Sequence, residues 1–169
     1  MLAMILIILG ILLRFLPHMP NVSPLAAIAL FGAFYLPNKR LALIVPLALM
    51  IISDMFLGLH DIIVFTWGST ILISIVGLAL KKSKKITAIF AGSLIGSIIF
   101  FVVTNFGVWY SGWYPATWAG LSTCFIAGIP FFRNFLASTL VYSSIFFGAY
   151  ELSARLVKNT KLARALLTN

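Results

Sequence analysis

Lys81-Lys82-Ser83-Lys84-Lys85 runs directly into Ile86-Thr87-Ala88-Ile89-Phe90-Ala91-Gly92-Ser93-Leu94-Ile95-Gly96-Ser97-Ile98-Ile99-Phe100-Phe101-Val102-Val103-Thr104-Asn105-Phe106-Gly107-Val108-Trp109, and this junction decides the fold class. A block of like charge gives way to a run without a single charged side chain. As a helix rising about 1.5 Å per residue, 86–109 measures about 36 Å. That exceeds the ~30 Å hydrocarbon layer of a bilayer. The apolar positions are continuous and do not alternate, which excludes the strands of a membrane β-barrel.

Working outward, five further apolar segments flank this one, giving six spans at about 2–16, 24–37, 40–57, 62–80, 86–109 and 130–156. Pro17 and Pro20 end the first. Ser23 is placed to cap the second, with Pro24 in its first turn, where a missing N–H costs nothing. Gly58 closes the third. Residues 1–13 lack a basic leading region and a small-residue cleavage site, so they read as a retained helix and not as a signal peptide. Segment 116–128, between Pro115 and Pro130, is about 13 apolar residues long. That length reads as a re-entrant or surface-lying segment and not as a span. The expectation is a single all-α transmembrane domain over 1–169.

Composition agrees. Hydrophobic residues make up 62% of the 169 positions and charged residues 9%, far below the ~25% charged residues of a soluble domain. The net charge of +9 is gathered in short clusters between apolar runs, the pattern of topology signals and anionic-lipid contacts, not of a nucleic-acid surface. With six spans and a cytoplasmic N-terminus, Lys39, Arg40, Lys81, Lys82, Lys84, Lys85, Arg155, Lys158, Lys161 and Arg164 fall inside, and only Arg14 and Arg133 outside. This bias of ten against two places both termini on the cytoplasmic side, and the expected location is the plasma membrane of a prokaryote. Cys124 is the only cysteine, so no intramolecular disulfide forms.

The same topology gathers the remaining polar residues toward the outer half. Arg14, His18, Asn21, Asp54, His60, Asp61, Asn105, Arg133 and Asn134 lie there, with all four tryptophans, Trp67, Trp109, Trp113 and Trp118. An interfacial belt would populate both faces. One-sided clustering points to an outward-facing cup, since polar groups at membrane depth must pair or face a cavity. Asp54 reads as a ligand contact or as the charge partner of Arg14 or Arg133. The fork of donors on Arg133 suits a carboxylate or phosphate, with snorkelling to lipid as the alternative. Trp109, Trp113, Tyr114 and Trp118, in the dense aromatic stretch 109–118, read as a lid, with interfacial anchoring as the alternative. A metal site built from His18, His60, Asp54 and Asp61 lacks motif spacing, and no metal or cofactor is expected. Cys124 reads as a small hydrophobe. Glu151 and Arg155, at i and i+4, read as a structural pair. Ala29, Gly32 and Ala33, and Gly92 and Gly96, mark close helix packing or partner docking. Phosphate-loop, serine-hydrolase and zinc-protease signatures are absent, so no enzyme is expected.

Several stretches carry a resemblance to a known family. They are Arg14-Phe15-Leu16-Pro17-His18, Pro24-Leu25-Ala26-Ala27-Ile28-Ala29-Leu30-Phe31-Gly32-Ala33, Ser53-Asp54, Thr104-Asn105-Phe106-Gly107-Val108-Trp109, Trp113-Tyr114-Pro115-Ala116-Thr117 and Ala127-Gly128-Ile129-Pro130-Phe131-Phe132-Arg133-Asn134. On these residues the chain resembles the S component, the substrate-binding membrane subunit, of energy-coupling factor (ECF) transporters. More closely, it resembles an uncharacterised family of small membrane proteins related to them. The resemblance implies six helices, cytoplasmic termini and an outward substrate cup for a small water-soluble nutrient, a vitamin or cofactor precursor. It also implies uptake with a coupling subunit and two ATPases, or by the protein alone. In the S components an A-x-x-x-A motif on the first helix docks the coupling subunit. Here Ala29 and Ala33 match it, but on the second segment. The alternative reading is a structural or assembly subunit of a larger membrane complex.

Overall fold

Helix α2, Leu25–Tyr35, is the hub around which the bundle is built. Every residue from 25 to 33 is buried, and a helix that is apolar all round belongs at the centre of its neighbours. Those neighbours are α1 (Leu2–Leu12, extended by a 3₁₀ turn at Leu13–Phe15), α3 (Lys39–Leu57), α4 (Ile63–Leu80), α5 (Ile86–Val108) and α6 (Trp118–Val157), all in contact with α2. A short helix, α7 (Leu162–Leu167), follows. The computed structural model describes residues 1–17, 19–83, 85–160 and 162–167. The readings for His18, Lys84 and Lys161 therefore lie outside the described residues.

The fold is an all-α membrane bundle, and no strand occurs among the described residues. Four helices, α3 to α6, are long and apolar enough to cross a membrane, while α1 with its extension and α2 are shorter. At 11 residues α2 is only about 17 Å long. Its backbone ends therefore need partners inside the bundle. Lys81 Nζ donates to the Leu36 carbonyl at 2.9 Å at one end. At the other, the Leu25 N–H donates to Ser23 Oγ at 3.4 Å, and the Ser23 N–H in turn donates to Ser138 Oγ at 3.2 Å. The helices alternate in direction, and the amino group of Met1 donates to the Leu166 carbonyl at 3.3 Å, so both termini share one end.

The outer surface is apolar, and small hydroxyl side chains share the interior with the apolar core. Large apolar side chains such as Phe56, Val64, Phe90 and Leu156 are exposed, while Ser69, Thr70, Ser93, Ser97 and Ser143 are buried. Most buried hydroxyls bond back to a carbonyl one turn earlier, as Ser97 does to Ser93 and Thr70 to Thr66. The small residues read as packing positions let the helices approach. A Cβ on Gly92 would lie 3.2 Å from Leu30 and one on Gly96 3.2 Å from Ile73. Ala29, Gly32 and Ala33 are wholly buried within the bundle. The docking alternative for that stretch is thereby corrected: it offers no face to another subunit.

Two sequence expectations change. Segment 116–128 is not a separate re-entrant or surface piece. From Trp118 onward it is the first part of α6, a continuous helix of 40 residues that runs through Pro130. Thr117 caps it, its hydroxyl accepting from the Gly120 N–H at 3.1 Å. Proline costs a backbone hydrogen bond, but in membrane helices neighbouring groups compensate and the helix continues. The Glu151–Arg155 pair is also absent: Glu151 accepts from the Tyr35 hydroxyl at 2.7 Å, and Arg14–Asp54 is the ion pair among the described residues.

Candidate functional site

Asp54, one turn before the end of α3, is buried with its side chain 3% exposed. The turn closes at Gly58, whose φ of 108° is a conformation that favours glycine. A buried carboxylate must be paired and hydrogen-bonded, and here both oxygens are. Arg14, carried inward by the 3₁₀ turn after α1, donates from Nη2 to Oδ1 at 2.7 Å. Trp67, on the first turns of α4, donates from Nε1 to Oδ2 at 2.9 Å. The second guanidinium nitrogen of Arg14 bonds Ser53 Oγ. Asp54 thus neutralises and orients Arg14, whose remaining donors are free of these contacts.

Arg14 lines a cavity of about 750 Å³ at the end of the bundle opposite the termini. The ends of α1, α3 and α5 and the starts of α2, α4 and α6 meet around it. Its rim carries His60 and Asp61 from the α3–α4 loop and Trp113 and Tyr114 from the turn after α5. Gly112, with φ of 86°, reverses that turn, and Trp109 Nε1 ties it together by donating to the Pro115 carbonyl at 2.9 Å. Trp113 Nε1 donates to Asp61 Oδ2 at 3.3 Å, linking the two rim segments. The wall is supplied by Thr104 and Asn105 of α5 and Cys124, Gly128, Phe131 and Phe135 of α6. Asn105 donates from Nδ2 to the Phe101 carbonyl at 2.8 Å. Its amide packs so closely on Gly128 that a Cβ there would lie 2.3 Å from Oδ1.

Of the residues singled out from sequence, Arg14, His60, Asn105, Trp113 and Tyr114 come together around the cavity. Asp54 stands behind Arg14 and does not itself line the space. Trp109 acts inside the turn and Trp118 is 86% exposed. Arg133 is exposed, away from both the cavity and Asp54, so the convergence of Asp54, Trp109 and Arg133 on one cup is corrected. Asn134 donates to the Pro20 carbonyl at 3.2 Å, fastening the α1–α2 loop to α6. No group of three or more His, Cys, Asp or Glu side chains converges among the described residues. The sequence placed Trp67 at this end without its bond to Asp54, and gave no role to Ser53 or to the pair Phe100 and Phe135. Trp67 lies 13 positions beyond Asp54, and an indole N–H at membrane depth seeking an acceptor was the available signal.

Residues 1–162 match the family of unknown function DUF6580, and the chain belongs to that family. No curated protein and no solved structure matches it at a significant level.

Proposed function

We propose that this DUF6580 protein captures a small water-soluble nutrient, a vitamin or cofactor precursor, in the cavity around Arg14 and mediates its uptake across a prokaryotic plasma membrane. The observation that carries the reading is the cavity itself. Its volume of about 750 Å³ lies in the range of small-molecule sites. A guanidinium oriented by a buried carboxylate lies in its wall, and aromatic side chains lie on its rim. Arg14 would engage a carboxylate or other acceptor on the nutrient, with Trp113 and Tyr114 against a ring. The positive-inside rule turns this end outward. The resemblance to ECF S components gives the same direction of capture. Because Ala29 and Ala33 are buried, the reading favours a protein working without a coupling subunit docked on that motif.

Native mass spectrometry of protein purified from its own cells tests the proposal. A retained small molecule is expected, and its affinity should fall when Arg14 is replaced by alanine. Loss of a charged partner costs about 2–5 kcal/mol of binding. Stoichiometric protein partners around an empty cavity would instead identify an assembly subunit.

A further inference from the structure

A second cavity, of about 980 Å³, opens at the end of the bundle that carries the termini. It is lined by Tyr35, Lys81, Ser93, Ser143, Glu151 and Arg155 among others. The two cavities share the α5–α6 seam. Phe100 and Phe135 line the first, and their rings stack with centroids 4.0 Å apart and planes at 13°. Ser93 and Ser143 line the second, and Ser93 Oγ donates to Ser143 Oγ at 3.0 Å. Along either helix the two pairs are seven or eight residues apart, so the septum between the cavities is about 11 Å thick. Phe135 belongs to one buried apolar cluster with Ala26, Ala29, Leu30 and Ile73, against which Phe100 packs. A void of about 20 Å³ adjoins both rings.

The septum is not uniformly apolar. Thr139 lies one turn from Phe135 and one turn from Ser143, on the same face of α6. It is 0% exposed, and its hydroxyl has no hydrogen-bond partner. Ser97 faces the same seam from α5 between Phe100 and Ser93, fully buried. A buried hydroxyl without a partner is costly in a resting bundle. Water or a polar solute entering the seam would supply that partner.

We infer that the two cavities are the ends of one translocation path along the α5–α6 seam, closed in this structure by the Phe100–Phe135 stack, with Thr139 as the polar contact midway. The inference rests on the uptake proposed above and specifies its route, through the bundle by movement of two rings. Passage by reorientation of the whole bundle would leave the septum shut.

Thiol accessibility in the full chain, reconstituted in sealed vesicles, tests the route without any cargo. Cys124 is replaced by alanine and Thr139→Cys is introduced. A charged, membrane-impermeant methanethiosulfonate is then added from one side at a time. With both rings intact the thiol should react slowly from either side. With Phe100→Ala or Phe135→Ala it should react at least about tenfold faster from the side of the Arg14 cavity, because reactivity follows the open fraction. Phe100 is only partly buried, so if Phe135→Ala fails to fold, Phe100→Ala decides alone. Unchanged slow labelling in a folded variant would overturn the gate. So would rapid labelling from both sides with the rings intact. Either result leaves nutrient capture standing. Conversely, an empty cavity by mass spectrometry alongside ring-dependent labelling would retire the nutrient and keep the path.

Discussion

Removing Arg14 would strand the Asp54 carboxylate beneath the cavity with Trp67 as its remaining side-chain donor. Breaking a buried pair from one side costs about 3–5 kcal/mol, because the other charge is left uncompensated. Arg14→Met should therefore lower the thermal unfolding midpoint sharply. The double variant Arg14→Met/Asp54→Leu should recover much of the loss, as a double-mutant cycle in detergent would show. Additive effects would mean that the 2.7 Å contact carries no coupling. Thr139→Val should act in the opposite direction. It keeps the shape of the side chain and deletes an unpartnered buried hydroxyl, a penalty of about 1–3 kcal/mol, so the midpoint should rise. At this scale the sequence was informative about which residues are polar and on which side, and less so about their partners. A carboxylate at membrane depth demands a cation, and Arg14 and Arg133 answered that demand equally well in one dimension. The 3₁₀ turn that carries Arg14 inward broke the tie, and no propensity announces such a turn.

Among the elements, two glycines of α4 make a paired test of the packing. A Cβ on Gly77 would lie 2.6 Å from the Cβ of Ala33, whereas nothing lies within 4 Å of one on Gly68. Gly77→Ala should thus force α4 away from α2 and destabilise by about 1–3 kcal/mol, the usual cost of overpacking. Gly68→Ala should be neutral or stabilising by up to about 1 kcal/mol, since alanine favours helix. Thermal unfolding of the two variants side by side checks this, and equal losses would refute the close approach of α2 and α4. Element boundaries were legible to within a few residues where a proline, a glycine or the lysine block punctuated the chain. They failed at Pro130, where the sequence reads as a stop and α6 runs on. Local propensity counts the lost hydrogen bond. It does not register that a helix in lipid has no water to turn to, and so keeps its remaining backbone pairs.

For the molecule as a whole, the shared end of the two termini and the basic clusters at that end predict one-sided labelling. A cysteine at Ser83, or one appended at the N-terminus, should react with an impermeant reagent only from the cytoplasmic side, and labelling in intact cells would reverse the orientation. The apolar helices, four of them long enough to cross a membrane, were readable because hydropathy acts one residue at a time. The cavities were not, because they depend on where helices cross. The short central helix has a further consequence. Two cavities that reach toward each other past α2 leave only about 11 Å of dense protein between them. If water and ions fill both cavities, the membrane voltage would fall across this thin partition and not across the full ~30 Å of hydrocarbon. A unit charge crossing between the two rings would then experience nearly the whole drop, about 2.3 kcal/mol for every 100 mV, within the length of two helical turns.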